Sequence, residues 1–139
     1  MAIILSRGKD IRLNPITKWV NKHLIPIFDK PMIFYPISTL MLAGIREILL
    51  IVNEEDLKQY TTLLGNGSSL GIRIEFLIQE KPEGLPQAFV LAEKFIGRDS
   101  VTLILGDNVF YGHELEKTLA DANEHVAGAT IFGYHVSDP

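Results

Sequence analysis

Short apolar runs alternate with longer stretches of helical pattern along this chain, and this alternation limits its fold more than any other feature. Five runs are typical of β-strands, and they occupy Ala2–Leu5, Glu47–Val52, 72–78, 101–105 and 129–136. The first run is apolar throughout and the fourth is apolar apart from Thr102, as in parallel strands buried on both faces, whereas the third alternates apolar with polar residues. Strands that alternate with helices predict right-handed βαβ units and an open, mostly parallel α/β sheet.

The stretches between these runs predict four helices. The first opens at Pro31 and ends at Gly44, and it is apolar almost all round, so we expect it to be buried or half buried against another subunit. Asn53 is expected to cap the second helix, whose acidic first turn suits the helix dipole. The other two helices are expected at 88–95 and 113–126.

The composition is that of one globular domain covering residues 1–139, with 47% apolar and 22% charged residues. The chain has 13 basic and 17 acidic residues, so its net charge is -4. This charge excludes a general attraction to nucleic acid or anionic membranes. The chain has no cysteine, which excludes disulfides, thiolate nucleophiles and cysteine-ligated zinc and favours the cytoplasm. The longest uncharged stretch, 31–45, is shorter than the roughly 20 residues that span a bilayer.

Polar residues gather where the predicted strands end. They occupy 6–12 after the first strand, 79–84 after the third and 106–108 after the fourth. In an open parallel sheet, ligands bind in the crevice beyond the carboxyl ends of the strands. The topology therefore predicts that these three loops share one binding site.

Asp107 is the strongest indication of a site within these loops, because it follows the predicted strand 101–105 after a single glycine, at the mouth of that strand. A carboxylate there suits Mg²⁺, which binds through one or two carboxylates plus substrate phosphates. The alternative is a helix or loop cap. Arg12 and Lys22 are the candidate cations for phosphate oxygens, and the alternative for each is a solvated surface residue.

Several familiar motifs are absent from the sequence. The loop after the first strand lacks the Gly-x-Gly-x-x-Gly dinucleotide fingerprint, and no Gly-x-x-x-x-Gly-Lys-Ser/Thr P-loop is present. The four histidines do not have zinc-ligand spacing. A Ser-His-Asp triad stays open on composition, although the chain has no Gly-x-Ser-x-Gly elbow.

Four segments, 12–17, 22–32, 42–47 and 105–113, closely resemble the glucose-1-phosphate thymidylyltransferases, and the resemblance continues in register from residue 1 to residue 139. It implies an open, mostly parallel Rossmann-like sheet with helices on both faces, as in the N-terminal half of these nucleotidyltransferases. It also implies their reaction, in which glucose 1-phosphate attacks the α-phosphorus of dTTP with Mg²⁺ assistance. The products are dTDP-glucose and pyrophosphate.

The resemblance also implies residue roles. Arg12 and Lys22 would be the catalytic contacts to the phosphates, and Asp107 would hold Mg²⁺. The nucleotide-binding set that it implies is Gly8, Arg12, Gln79, Pro82, Gly84 and Gln87.

The sequence departs from the family pattern mainly in its first loop. The family has Leu-Ala-Gly-Gly-x-Gly-Thr-Arg-Leu, whereas this chain has Leu-Ser-Arg-Gly-Lys-Asp-Ile-Arg-Leu over 5–13. Arg7 and Asp10 therefore add side chains where glycine lets backbone N–H groups approach a triphosphate. Smaller departures are Ile11 for a threonine, His23 for a glutamine and Pro86 for a small residue.

Family members continue well past the position of Pro139, so we expect a chain that is truncated relative to them. The part beyond that position supplies most of the sugar pocket and a second metal-binding aspartate. Two hypotheses follow: the nucleotide-binding part of an enzyme, or a catalytically inactive short homologue that acts as an assembly partner or nucleotide-binding regulator. Because a shortened sheet would leave apolar surface uncovered, we also expect a homo-oligomer.

Overall fold

The computed structural model describes residues 1–7, 11–81, 83–124 and 127–133. Its main sheet has four strands, β1 (Ala2–Leu5), β4 (Glu47–Val52), β5 (Arg73–Ile78) and β6 (Thr102–Leu105). Their order across the sheet is β5-β4-β1-β6, and all the pairs are parallel. A small antiparallel pair, β2 (Pro26–Ile27) and β3 (Lys30–Pro31), lies between β1 and β4 in the chain.

The described part of the chain contains five α-helices. They are α1 (Phe34–Leu42), α2 (Leu57–Leu64), α3 (Pro86–Leu91), α4 (Glu93–Ile96) and α5 (Leu115–Glu124). Short 3₁₀ turns occupy Ile11–Leu13, Ile16–Lys18, Lys22–Leu24, Glu54–Asp56 and Ser68–Leu70. None of the helices in the described ranges is both long and apolar enough to cross a membrane.

The core has two layers because successive side chains of a strand point to opposite faces of the sheet. On one face, Ile4 and Leu50 pack with α1 and α2 side chains such as Leu40 and Tyr60. On the other face, Ile3, Leu49 and Ile51 pack with Ala88 and Ala92 of the α3–α4 segment. The predicted parallel α/β sheet with helices on both faces is therefore confirmed.

Several boundaries differ from the prediction. Pro31 lies in β3 rather than at a helix start, and α1 begins at Phe34. The predicted helix over 88–95 is two helices that meet at Ala92, where the backbone leaves the helical range (φ -87°, ψ 3°). β6 is only partly buried, because it is an edge strand of the described sheet and lacks a neighbour on one side.

The predicted last strand, 129–136, is wrong over its described part. Residues 129–133 are exposed and form no strand, and residues 134–136 lie outside the described residues. Asn53 occupies the predicted N-cap position, yet its side chain makes no capping bond. Its amide instead donates to Asp56 Oδ2 at 2.9 Å, and its Oδ1 accepts from Arg7 Nε at 2.5 Å.

Candidate functional site

A cavity of about 700 Å³ opens at the carboxyl edge of the sheet. The register of the strands explains where the cavity lies, because Leu5 of β1 pairs with both Ile51 of β4 and Leu105 of β6. The three strands therefore end at one level, and the residues that follow them meet there. Polar side chains from these ends and from nearby loops line the cavity, among them Arg7, Lys22, Asn53, Gln79 and Asp107.

Lys22 and Asp107, both predicted from the sequence as site residues, form an ion pair. Lys22 Nζ lies 2.6 Å from Asp107 Oδ2, and the two side chains are 14% and 35% exposed. Burial raises the pKa of Asp107, but the hydrogen bond and charge of Lys22 outweigh it and hold that pKa below its ordinary value. Asp107 is therefore an ionised carboxylate at the cavity wall.

Lys22 is positioned by the short turn Lys22–Leu24 and by the residue before it. Asn21 Oδ1 accepts hydrogen bonds from the backbone N–H of His23 at 3.0 Å and from its Nδ1 at 2.8 Å. The Asn21 amide then donates to Asp56 Oδ2 at 2.7 Å, the same oxygen that accepts from Asn53. A chain of polar contacts thus ties the Lys22 turn to the end of β4.

His23 is buried beside this ion pair, with 1% of its surface exposed. Desolvation is the largest cause of its shifted pKa and Lys22 adds to it, whereas Asp107 and Asp56 act in the opposite direction. The net result lowers the pKa of His23 to about 4. The imidazole is neutral at pH 7, and its Nδ1 carries the proton because Asn21 Oδ1 is the acceptor.

The opposite side of the cavity is built by the loop after β5. Gln79 is buried and donates its amide to Gln87 Oε1 from α3. Gln87 also accepts from the backbone N–H of Glu83 at 3.1 Å and donates to the Glu83 carboxylate at 2.8 Å. Gly84 takes a positive φ of 92°, a backbone conformation that L side chains rarely adopt. Gln87 therefore acts as the brace of this loop.

Arg7 lies between these two sides, although the sequence predicted only that its side chain would crowd the phosphate loop. In addition to Asn53, its guanidinium bonds the backbone carbonyl of Glu80, which accepts from Nη2 at 2.8 Å. Its Nη1 is buried and has no hydrogen-bond partner among the residues that the structure describes. One side chain thus connects the ends of β1, β4 and β5.

Gly106 brings the strand ends close together at the base of the site. A Cβ at this position would lie 2.9 Å from Ser6 Oγ and 3.0 Å from His23 Cδ2. Ser6 and His23 are both buried, so neither can easily move away. The glycine before Asp107 is therefore required by close approach.

The structure brings together Lys22, Gln79, Gly84 and Asp107 around one cavity, and Gln87 braces Gln79. Arg12 is exposed on the turn Ile11–Leu13 and is not among the described residues that line the cavity. Gly8 and Pro82 lie outside the described residues.

Several cavity residues were not predicted as part of the site, among them Asn53, His23, Glu54 and Glu55. Asn53 directly follows a strand, so the strand-end rule could have included it. No comparable signal marks His23. Within the described ranges, no group of three or more histidine or acidic side chains is arranged to hold a metal ion, so the magnesium prediction depends on Asp107 alone.

Comparison with known proteins agrees with this architecture. A family model described as nucleotidyl transferase matches residues 1–139. The chain is 54% identical over 137 residues to a glucose-1-phosphate thymidylyltransferase of Neisseria gonorrhoeae, covering 99% of this chain and 48% of that protein. A Xanthomonas campestris protein of the same name is 49% identical over 99% of this chain and 46% of its own length.

A solved structure gives the same result. A Bacillus anthracis protein described as a glucose-1-phosphate thymidylyltransferase in complex with sucrose superposes with a TM-score of 0.79 and 36% identity, covering 88% of this chain and 50% of that one. The chain spans about half the length of the curated relatives it matches. Its sequence over all 139 residues and its parallel sheet place it in the nucleotidyl transferase family.

Proposed function

We propose that this chain binds dTTP in the cavity and is the nucleotide-binding part of a glucose-1-phosphate thymidylyltransferase. The observation that carries the proposal is the meeting of Lys22, Asp107 and Gln79, from three distant segments, at one edge of a parallel sheet. The names of relatives at 54% and 49% identity support the choice of base and sugar. The reaction of the whole enzyme would convert dTTP and glucose 1-phosphate to dTDP-glucose and pyrophosphate.

The Lys22 side of the cavity would receive the triphosphate. Nucleotidyl transfer builds negative charge on phosphate oxygens, and a partly buried ammonium stabilises that charge more than an exposed one does. The short turn Lys22–Leu24 holds Lys22 at the cavity wall, so only the end of its side chain has to turn when phosphate arrives. Arg12, exposed beside the first loop, would add a second positive charge at the entrance.

Asp107 would hold Mg²⁺ together with the phosphates. The donor chemistry fits, because this ion takes one or two carboxylates and completes its shell with phosphate oxygens and water. When bound, the ion would neutralise charge on the phosphates. Lys22 would then release Asp107 Oδ2 and turn its ammonium to a phosphate oxygen, so the ion pair would exchange partners.

The Gln79 side would receive the base. Thymine presents an N–H group between two carbonyl groups, and a carboxamide offers both an acceptor and a donor to such an edge. Gln87 fixes the Gln79 amide, so the orientation of this recognition group is set before the ligand binds. Gly84, and by resemblance Pro82, would frame the ring.

Two further expectations concern the surroundings of the protein. A chain without cysteine suits a reducing cytoplasm. Self-association would cover exposed aromatic side chains such as Phe28 and Tyr111. Light scattering of the 139-residue chain tests this expectation, and a monomer at high concentration would contradict it.

Calorimetric titration of the chain with dTTP and Mg²⁺ tests the proposed binding. We expect one site, and we expect Lys22→Ala to weaken it about ten-fold through loss of a charge-assisted hydrogen bond. Lys94→Ala, which removes an equal charge from the exposed part of α4, is the matched control and should bind as the unmodified chain does. No heat of binding at millimolar dTTP would contradict the proposal.

A further inference from the structure

We propose that the Arg7 side chain is a strap across the base side of the cavity, which a nucleotide has to displace before its base reaches Gln79. The inference rests on the proposed function, and it concerns how tightly this chain binds the nucleotide. It arises from the Arg7 side chain, which bonds two different strand ends and lines the cavity.

The strap is anchored at two points on different strand ends. Arg7 Nε donates to Asn53 Oδ1 after β4, and Nη2 donates to the carbonyl of Glu80, the residue after Gln79. Arg7, Gln79 and Gly84 all line the same cavity. The guanidinium therefore runs alongside the part of the wall where the base would bind.

The first anchor is itself held in place. Asn53 donates its amide to Asp56 Oδ2, and that oxygen also accepts from Asn21. The orientation of the Asn53 amide is thereby fixed with its oxygen toward Arg7. The contacts of Asp56 that position the Lys22 turn therefore also stabilise the closed position of Arg7.

The strapped state also has an internal cost that favours opening. Nη1 is enclosed and finds no acceptor within the described part of the chain, and a buried donor without a partner is unfavourable. Because Nη1 is already enclosed, a ligand acceptor cannot reach it until the guanidinium moves. Displacement gives Nη1 access to water or ligand, and this gain offsets part of the cost of opening the strap.

The sign of the effect separates this inference from the ordinary role of an arginine. A guanidinium near a triphosphate would normally strengthen binding, so its removal should weaken binding. A strap does the opposite, because the apparent dissociation constant is raised by the inverse of the open fraction. Loss of two anchoring hydrogen bonds makes a change of about ten-fold reasonable.

Calorimetric titration with dTTP and Mg²⁺ of the 139-residue chain and its Arg7→Ala variant tests the strap. We expect the variant to bind about ten-fold more tightly. Arg98→Ala removes the same charge at an exposed site in the turn after α4 and should leave the affinity unchanged. Asn53→Ala removes one anchor and keeps Arg7, so it should tighten dTTP binding by a smaller factor. This variant provides the test of the strap if Arg7→Ala does not fold.

The outcomes distinguish the strap from the proposed function. If the unmodified chain binds dTTP and Arg7→Ala binds equally or more weakly, the strap is refuted while the nucleotide site stands. If neither protein binds at millimolar dTTP, both fail. Tighter binding by Arg7→Ala, with Arg98→Ala unchanged, supports both.

Discussion

Acidification should destabilise this protein through His23, because the fold holds that imidazole neutral. The ring is buried and faces the ammonium of Lys22, while the carboxylates of Asp107 and Asp56 only partly offset these effects. Its pKa falls from 6.5 to about 4. The unfolded chain therefore binds a proton between these two pH values and the folded chain does not, so stability is present above pH 6.5 and is lost toward pH 4.

The two pKa values fix the size of the effect. Moving from pH 7 to pH 4.5 should cost roughly 2.5 kcal/mol of unfolding free energy from this residue alone. That is a large fraction of the 5–15 kcal/mol that stabilises a typical domain. Carboxylates also titrate in this range, so the contribution of His23 has to be isolated by difference.

His23→Gln provides that difference, because glutamine does not titrate. Urea unfolding at pH 7, 6, 5 and 4.5 should show the unmodified chain losing about 2.5 kcal/mol more than the variant. Equal pH slopes for the two proteins would refute a neutral, buried His23. A steeper slope for the variant would refute the assigned sign.

Two further predictions concern packing beneath the site. Gly106→Ala places a Cβ 2.9 Å from Ser6 Oγ and should lower the free energy of unfolding by about 1–3 kcal/mol, measured in urea. The control is Gly112→Ala, whose Cβ meets no atom of the described residues within 4 Å and should change stability by less than about 0.5 kcal/mol. Equal costs for the two variants would contradict the close approach. Tyr60→Phe removes the partner at 2.5 Å from the buried Ser6 hydroxyl and should cost about 1–3 kcal/mol. Adding Ser6→Ala should recover much of that loss, and strict additivity in the double-mutant cycle would contradict a shared hydrogen bond.

The sheet was predictable from the sequence because continuous apolar runs leave few alternatives to buried parallel strands. β1 and β4 occupy the predicted residues, since their side chains are buried on both faces. The strand-end site followed from topology alone, and Gln79 and Asp107 do share it. The edge strands of the sheet were less predictable, because an apolar run such as that of β6 does not reveal whether another strand pairs with its outer side.

Contacts within the site depended on segments without periodicity. Lys22 lies in an irregular stretch between β1 and α1, and neither hydrophobic pattern nor spacing shows that its turn reaches β6. His23 is buried by tertiary packing, although a histidine beside a lysine suggests a surface position. The second hydrogen bond of Arg7 goes to a backbone carbonyl 73 residues away, and a backbone acceptor cannot be predicted from residue types.

Nuclear magnetic resonance offers the most direct measurement of the central claim, that the nucleotide binds at the carboxyl edge of the sheet. Titration of ¹⁵N-labelled chain with dTTP and Mg²⁺ should shift the backbone amides of Lys22, Gln79 and Asp107 and the side-chain amide of Gln79 most strongly. Resonances of α5, whose residues do not line the cavity, should move little. Shifts that concentrate on α5, or no shifts at millimolar dTTP, would contradict the account.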